Sequence, residues 1–97
     1  MLLKVAYRPA ADSDIEAIAD YTIERWGLSQ AQSYLAALRA DAESLAENAL
    51  LYPIHQASGL GMRRMKSGHH NIFYLLSDET VEIIRILHER MDTDNLI

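Results

Sequence analysis

The chain has 97 residues, 49% of them hydrophobic, and no cysteine, which excludes a disordered chain, a disulfide framework and a thiolate metal site. Its formal net charge is −5, whereas proteins that grip nucleic acid through phosphates carry a basic surplus, so no direct nucleic-acid binding is expected. Charges break every apolar run short of membrane-spanning length, and "MLLKVAYRPA" holds Lys4 inside a short apolar run with no cleavage site after it; one cytoplasmic domain over residues 1–97 is expected.

In chain order, "LLKVAYRP" predicts a first strand ended by Pro9. From Ala10 to Trp26, apolar positions recur with helical spacing at Ile15, Ile18, Ala19, Thr22, Ile23 and Trp26. Asp12 or Ser13 is placed to cap this helix, Asp14 and Glu16 suit its N-terminal dipole, and Gly27 ends it. Ser29 is the expected N-cap of a second helix with the stripe Ala31, Tyr34, Leu35, Leu38, Ala42, Leu45, Ala46 and Ala49. The short "WGLS" link forces the two into a hairpin. "LYPIHQASGLG" reads as an irregular connection with Pro53, Gly59 and Gly61. Three short strands follow, "MRRMKS", "HHNIFYLLS" and "TVEIIRILH", turned at Gly68 and at "DE". "MDTDNLI" forms a short tail of one helical turn. The expected fold is α+β, in the order β-α-α-β-β-β. A helix hairpin covers one face of a mostly antiparallel sheet, and the opposite face is the candidate functional surface.

The last strand poses the main chemical question, because Arg85 sits in the most apolar stretch of the chain. Strict alternation groups it with Val81, Ile83 and Leu87, against Glu82, Ile84, Ile86 and His88. Apolar residues on both sides predict a central strand. A buried unpaired guanidinium is costly, so Arg85 either pairs with a carboxylate, with Glu82, Glu89 and Asp92 as local candidates, or opens on a solvated site. Arg63, Arg64 and Lys66 form a basic cluster, read either as a charged edge strand or as a patch for a partner. His69 and His70 are adjacent, so in a strand they point to opposite faces. No histidine or carboxylate set has metal-ligand spacing, and no metal or cofactor is expected. His88 has Glu89 and Asp92 nearby for acid–base work, or it satisfies a backbone carbonyl. No nucleophile elbow, phosphate-binding glycine motif or other catalytic constellation is present, so no catalytic residue is assigned. The helix hairpin carries more apolar surface than so small a core absorbs. Ile18, Tyr21, Trp26, Leu35 and Leu38 are the expected walls of a groove for an amphipathic partner helix, with strand addition at a sheet edge as a second mode.

"YRPAADSDIEAIADYTIERWG", "QAQSYLAAL", "GMRRM", "GHHNIFYLL" and above all "VEIIRILHERMD" resemble the ParE branch of the RelE/ParE toxin superfamily, in order and over nearly the whole chain. The resemblance implies a small bacterial toxin of a type II toxin–antitoxin pair, held as a hetero-oligomer by a ParD-like antitoxin. It implies inhibition of DNA gyrase by protein–protein contact rather than catalysis. Arg63, Arg64, Arg85, His88, Arg90 and Asp92 are then the residues for target contact or toxicity. The alternative within the superfamily is a RelE-like, ribosome-dependent mRNA endonuclease. The acidic balance favours the gyrase reading, and His88 keeps the alternative open.

Overall fold

Pro9 opens a helix rather than closing a strand. The computed structural model describes residues 2–55 and 61–91; in it β1 is confined to Lys4–Tyr7 and α1 runs Pro9–Trp26. Proline costs nothing in the first turn, where the amide has no helical partner, and its fixed φ suits the helix. The capping expected of Asp12 or Ser13 does not occur: Arg8 is the N-cap, and no side chain bonds there. Asp12 still lies in the first turn, where its charge meets the positive end of the helix. Gly27 ends α1 and also serves as N-cap of α2, Leu28–Asn48, so Ser29 lies inside the second helix rather than before it. Its amide donates to the Ile23 carbonyl at 2.9 Å, and its carbonyl accepts from the Ala31 amide at 3.1 Å.

The remaining strands are β2 (Arg63–Ser67), β3 (His70–Ser77) and β4 (Thr80–His88), in the sheet order β1-β4-β3-β2. β4 is central, parallel to β1 and antiparallel to β3; β2 and β3 are antiparallel. The helices bury Ile15, Ile18, Leu38, Ala42 and Leu45 against Ile72, Tyr74, Val81, Ile83 and Ile86. The predicted stripe of α1 is correct at Ile15, Ile18 and Thr22, but Ala11 belongs to it, while Ile23 and Trp26 stay exposed. Tyr74 spans the core and donates its hydroxyl to the Ala49 carbonyl at 2.6 Å, and burial pushes that phenol up to about 12.

Two features depart from simple alternation. In the β3–β4 register, Tyr74 faces Ile83 but Phe73 faces Arg85, so Ile84 is an extra residue in a β-bulge. Ile83 and Ile86 therefore both enter the main core, and Arg85 is separated from the Val81 and Ile83 face it was grouped with. The sheet face opposite the helices is also not an open functional surface. Met62, Phe73 and Leu87 are buried there as a second cluster, with Leu75 and Ile84 against them. Residues 53–55 turn back along β2: Ile54 bridges Arg63, the Arg64 amide donates to the Pro53 carbonyl at 3.1 Å, and the His55 amide to that of Met62 at 2.6 Å. Part of the connection read as irregular thus extends the sheet and shields the outer edge of β2. Among the described residues no helix is long and apolar enough to cross a membrane. The tail beyond Met91, Asp92 included, lies outside the described residues.

Candidate functional site

Arg85 pairs with Asp14, 71 positions away; of the local carboxylates, Glu82 meets Arg8 and Glu89 meets Lys66 and His69, while Asp92 lies outside the described residues. β1 leaves the sheet after Tyr7, where the Arg8 amide donates to the Ile83 carbonyl at 2.9 Å. β4 runs on to His88 and presents an edge there that β1 no longer covers. Asp14, on α1, fills that gap. It accepts from Arg85 Nε and Nη2, each at 2.8 Å, and from the Ile86 amide at 2.9 Å. The bidentate geometry fits a guanidinium, and the third bond satisfies a strand amide. Asp14 holds the Arg85 guanidinium's pKa above its ordinary value through these hydrogen bonds. Arg85 is thus a paired structural ion in a strand edge.

Beside this pair opens a groove of about 880 Å³ between the hairpin and the exit of β4. Ile18 and Thr22 form part of its lining from α1, and the Thr22 hydroxyl donates back to the Ile18 carbonyl at 2.6 Å. Tyr21 and Trp26 are its exposed apolar walls, 62% and 65% accessible, and Met91 stands at the chain's exit from β4, 50% accessible. The Arg25 guanidinium lies 5.9 Å from the Trp26 ring.

The polar end of the groove is a histidine group. His69 belongs to the Gly68 turn and not to a strand, so the expected opposition of His69 and His70 does not arise. The His70 and His69 rings lie 5.3 and 6.4 Å from that of His88. Tyr34 orders the turn: its oxygen accepts the His69 amide at 3.0 Å, and its hydroxyl is 2.6 Å from His70 Nδ1. Burial raises the Tyr34 pKa, so it keeps its proton and donates it, which makes Nδ1 of His70 an acceptor. Burial first, then His88 and His69, push His70 down to about 4, so it is neutral at pH 7. His88 does not satisfy a carbonyl with its ring; Nδ1 accepts the Arg90 amide at 3.1 Å. Glu89 does not pair with His88 either. It bridges Lys66 Nζ at 2.9 Å and His69 Nδ1 at 2.8 Å, and these two hold its carboxyl at about 2. No group of three histidines, carboxylates or cysteines among the described residues is arranged to hold a metal ion.

Of the residues singled out from sequence, the groove gathers Ile18, Tyr21, Trp26, Arg85, His88 and Arg90. Leu35 and Leu38 do not line it; they pack into the main core, because their face of α2 meets the sheet. Arg63 and Arg64 lie apart from it on β2, and Arg63 Nη1 donates to the Tyr52 carbonyl at 2.6 Å. Sequence reasoning missed Asp14, Tyr34, His69 and His70 as members. Asp14 did leave a signal: it directly precedes Ile15 and stands four residues before Ile18, so it borders the buried stripe.

The model for the ParE toxin of the parDE type II toxin–antitoxin system matches residues 5–93. The chain is 37% identical over 87 residues to Toxin ParE1 of Mycobacterium tuberculosis H37Rv, covering 89% of each. It is 38% identical over 82 residues to Toxin ParE1 of Caulobacter vibrioides, covering 84% of each. Its fold is similar to a solved structure described as the chromosomal ParDE TA system from P. aeruginosa, with TM-score 0.80 at 16% identity over 90% of this chain and 96% of that one. It is also similar to one from the toxin–antitoxin complex RelBE2 of Mycobacterium tuberculosis, with TM-score 0.69 at 20% identity over 91% and 99%. With the matched model spanning nearly the whole chain and both relatives carrying the toxin's name, this protein belongs to the ParE toxin family of type II toxin–antitoxin systems.

Proposed function

We propose that this toxin acts in the cytoplasm by binding and inhibiting DNA gyrase, and that a ParD-like antitoxin neutralises it by laying an amphipathic segment in the groove. The observation that carries the target reading is the Arg85–Asp14 pair. Ribonuclease chemistry without a metal needs cations directed at a phosphate, with an acid and a base beside it. Here the cation of the central strand is committed to the fold, and Lys66 is engaged by Glu89. The acidic balance of the chain disfavours an RNA substrate further. Exposed Tyr21 and Trp26 support a protein partner, since aromatic walls of this kind anchor interfaces.

A second reading, ribosome-dependent mRNA cleavage, draws on one observation: Tyr34, His70, His88 and Arg90 share the groove, so proton carriers and a cation stand together. Two assays on purified toxin separate the readings. Loss of supercoiling with intact mRNA supports the gyrase reading; codon-dependent mRNA cleavage with undisturbed supercoiling overturns it.

A further inference from the structure

Most of the large apolar side chains left exposed lie toward one of two ends of the molecule. Tyr21, Trp26 and Met91 belong to the groove. Leu2, Leu50, Leu51 and Leu76 lie at the other end, where β1 and β4 begin. Two hydrogen bonds bring them together. The Leu3 amide donates to the Ala46 carbonyl at 3.0 Å, which sets Leu2 beside the last turn of α2. The Tyr74 bond to Ala49 anchors the short turn Ala49–Leu51 over β3, with Leu76 two residues further along the same face. Ala49 is buried in the core, whereas Leu50, Leu51 and Leu2 are each at least 66% accessible. From this end β4 runs nine residues to His88, about 25 Å, and none of the four leucines lines the groove.

We propose that this leucine end joins two copies of the chain. Its composition selects the occupant. Contacts with a different protein centre on Trp, Tyr and Arg, the residues of the groove, whereas faces that join identical copies are more apolar. Leucine alone supplies the exposed apolar surface of this end. The rim points the same way. Lys4, Glu47 and Glu79 are exposed around the patch, and among the described residues no ion pair engages them. The Lys4 amide donates to the Glu79 carbonyl at 2.9 Å, so opposite charges adjoin there. A two-fold axis through the patch sets leucines on leucines and crosses Lys4 of each copy toward the acidic rim of the other. Such a contact closes at two copies. It leaves both grooves open at the far ends, and it rests on neither the antitoxin nor the gyrase reading. The net −5 of each copy and the small patch keep the contact weak, with an expected Kd of about 10–100 μM.

Sedimentation of the full-length chain tests this. Its mass should rise from one copy at about 1 μM to two copies at about 1 mM. Leu50→Ser with Leu51→Ser should weaken the dimer about tenfold or more while the melting temperature stays unchanged. Should that variant fail to fold, Lys4→Glu replaces it: the change sets like charges across the axis and should weaken the dimer severalfold. Ile23→Ser, at the hairpin tip, removes an exposed apolar side chain from the opposite end and should dimerise like the wild type.

A single copy at every concentration up to about 1 mM overturns the proposal. So does mass that grows past two copies without limit, since an open-ended contact has no two-fold axis. A dimer that survives the leucine or lysine change undiminished, or that Ile23→Ser abolishes, places the contact elsewhere and overturns it as well. A wild type that stays monomeric, and whose effect on gyrase supercoiling is lost with the two leucines, gives this face to the target instead. The gyrase assay is otherwise independent. Toxin that dimerises through the leucines yet leaves supercoiling intact sinks only the target reading; toxin that inhibits gyrase as a monomer sinks only this one.

Discussion

Asp14 receives three hydrogen bonds, two from Arg85 and one from a β4 amide, so its loss takes two bonds from a guanidinium and the acceptor from a peptide group together. Removing one member of a buried pair costs more than the pair contributes, because the other charge is left desolvated. Both side chains keep some solvent contact, 13% for Asp14 and 27% for Arg85, which moderates the effect. Asp14→Ala should lower stability by about 2–3 kcal/mol. Asp14→Ala combined with Arg85→Ala should cost clearly less than the sum of the two single losses, as chemical denaturation of all four proteins would show. Additive losses would mean that the two side chains stabilise the fold independently. Sequence reasoning weighed a structural pair for Arg85 but sought its partner among neighbours in the chain. Asp14, a partner that the sequence did not offer, is brought in by the helix hairpin, and only tertiary structure reveals that.

His70 gives a second prediction at the same scale, with a definite sign. Its folded value lies at about 4, below the ordinary 6.5, chiefly through burial. The unfolded chain therefore binds more protons than the folded one between these values. Stability should rise with pH across that window and be lost as pH falls from about 6.5 to about 4. Discounted for partial exposure, the effect is about 2 kcal/mol. His70→Gln keeps an acceptor for the Tyr34 hydroxyl and should flatten the wild-type slope between these pH values in a series of urea titrations. An unchanged slope would show that His70 titrates normally in the fold.

Among the elements, the two helices are joined by a single residue in a conformation that side chains avoid. Gly27 has φ +92° and ψ 166°, a region occupied almost solely by glycine, and a Cβ placed there would meet nothing within 4 Å. Space and backbone preference make opposite predictions, and the backbone decides. Gly27→Ala should destabilise by about 1–3 kcal/mol without disturbing the core, read as a lowered melting temperature with native near-ultraviolet circular dichroism. Gly68 shows the reverse weighting. Its φ of +58° is tolerable, but a Cβ would lie 2.7 Å from the Tyr34 hydroxyl oxygen, the atom that orders His69 and His70. Sequence showed both glycines as punctuation, because turn chemistry is local. It could not show that one strains the backbone and the other gives room to a tyrosine from α2. The bulge at Ile84 was hidden for the same reason: a run of apolar residues on both sides of β4 carries no mark of where the pleat slips.

Across the whole molecule, element order and type were legible because most elements repeat one periodicity, and α1, β2 and β3 end at a glycine or a turn pair. The groove was legible in part. Its apolar wall follows from the spacing of Ile18, Tyr21 and Trp26, but the histidine end depends on a turn and a strand exit meeting across the sheet. Trp26 links fold and partner, and its exposure separates them. At 65% accessible it contributes little to the core, so Trp26→Ala should change stability by no more than about 0.5 kcal/mol. The same truncation removes the largest apolar wall of the groove. If the antitoxin lies there, its complex should weaken by about 2 kcal/mol or more, the loss typical of a buried aromatic anchor. Melting curves of the free toxin, paired with a titration of a ParD-like antitoxin, measure the two quantities on one variant. A large loss of stability in the free toxin would make Trp26 a core residue despite its exposure. Unchanged stability with unchanged affinity would place the antitoxin on another surface, with the outer edge of β1 next to be tested.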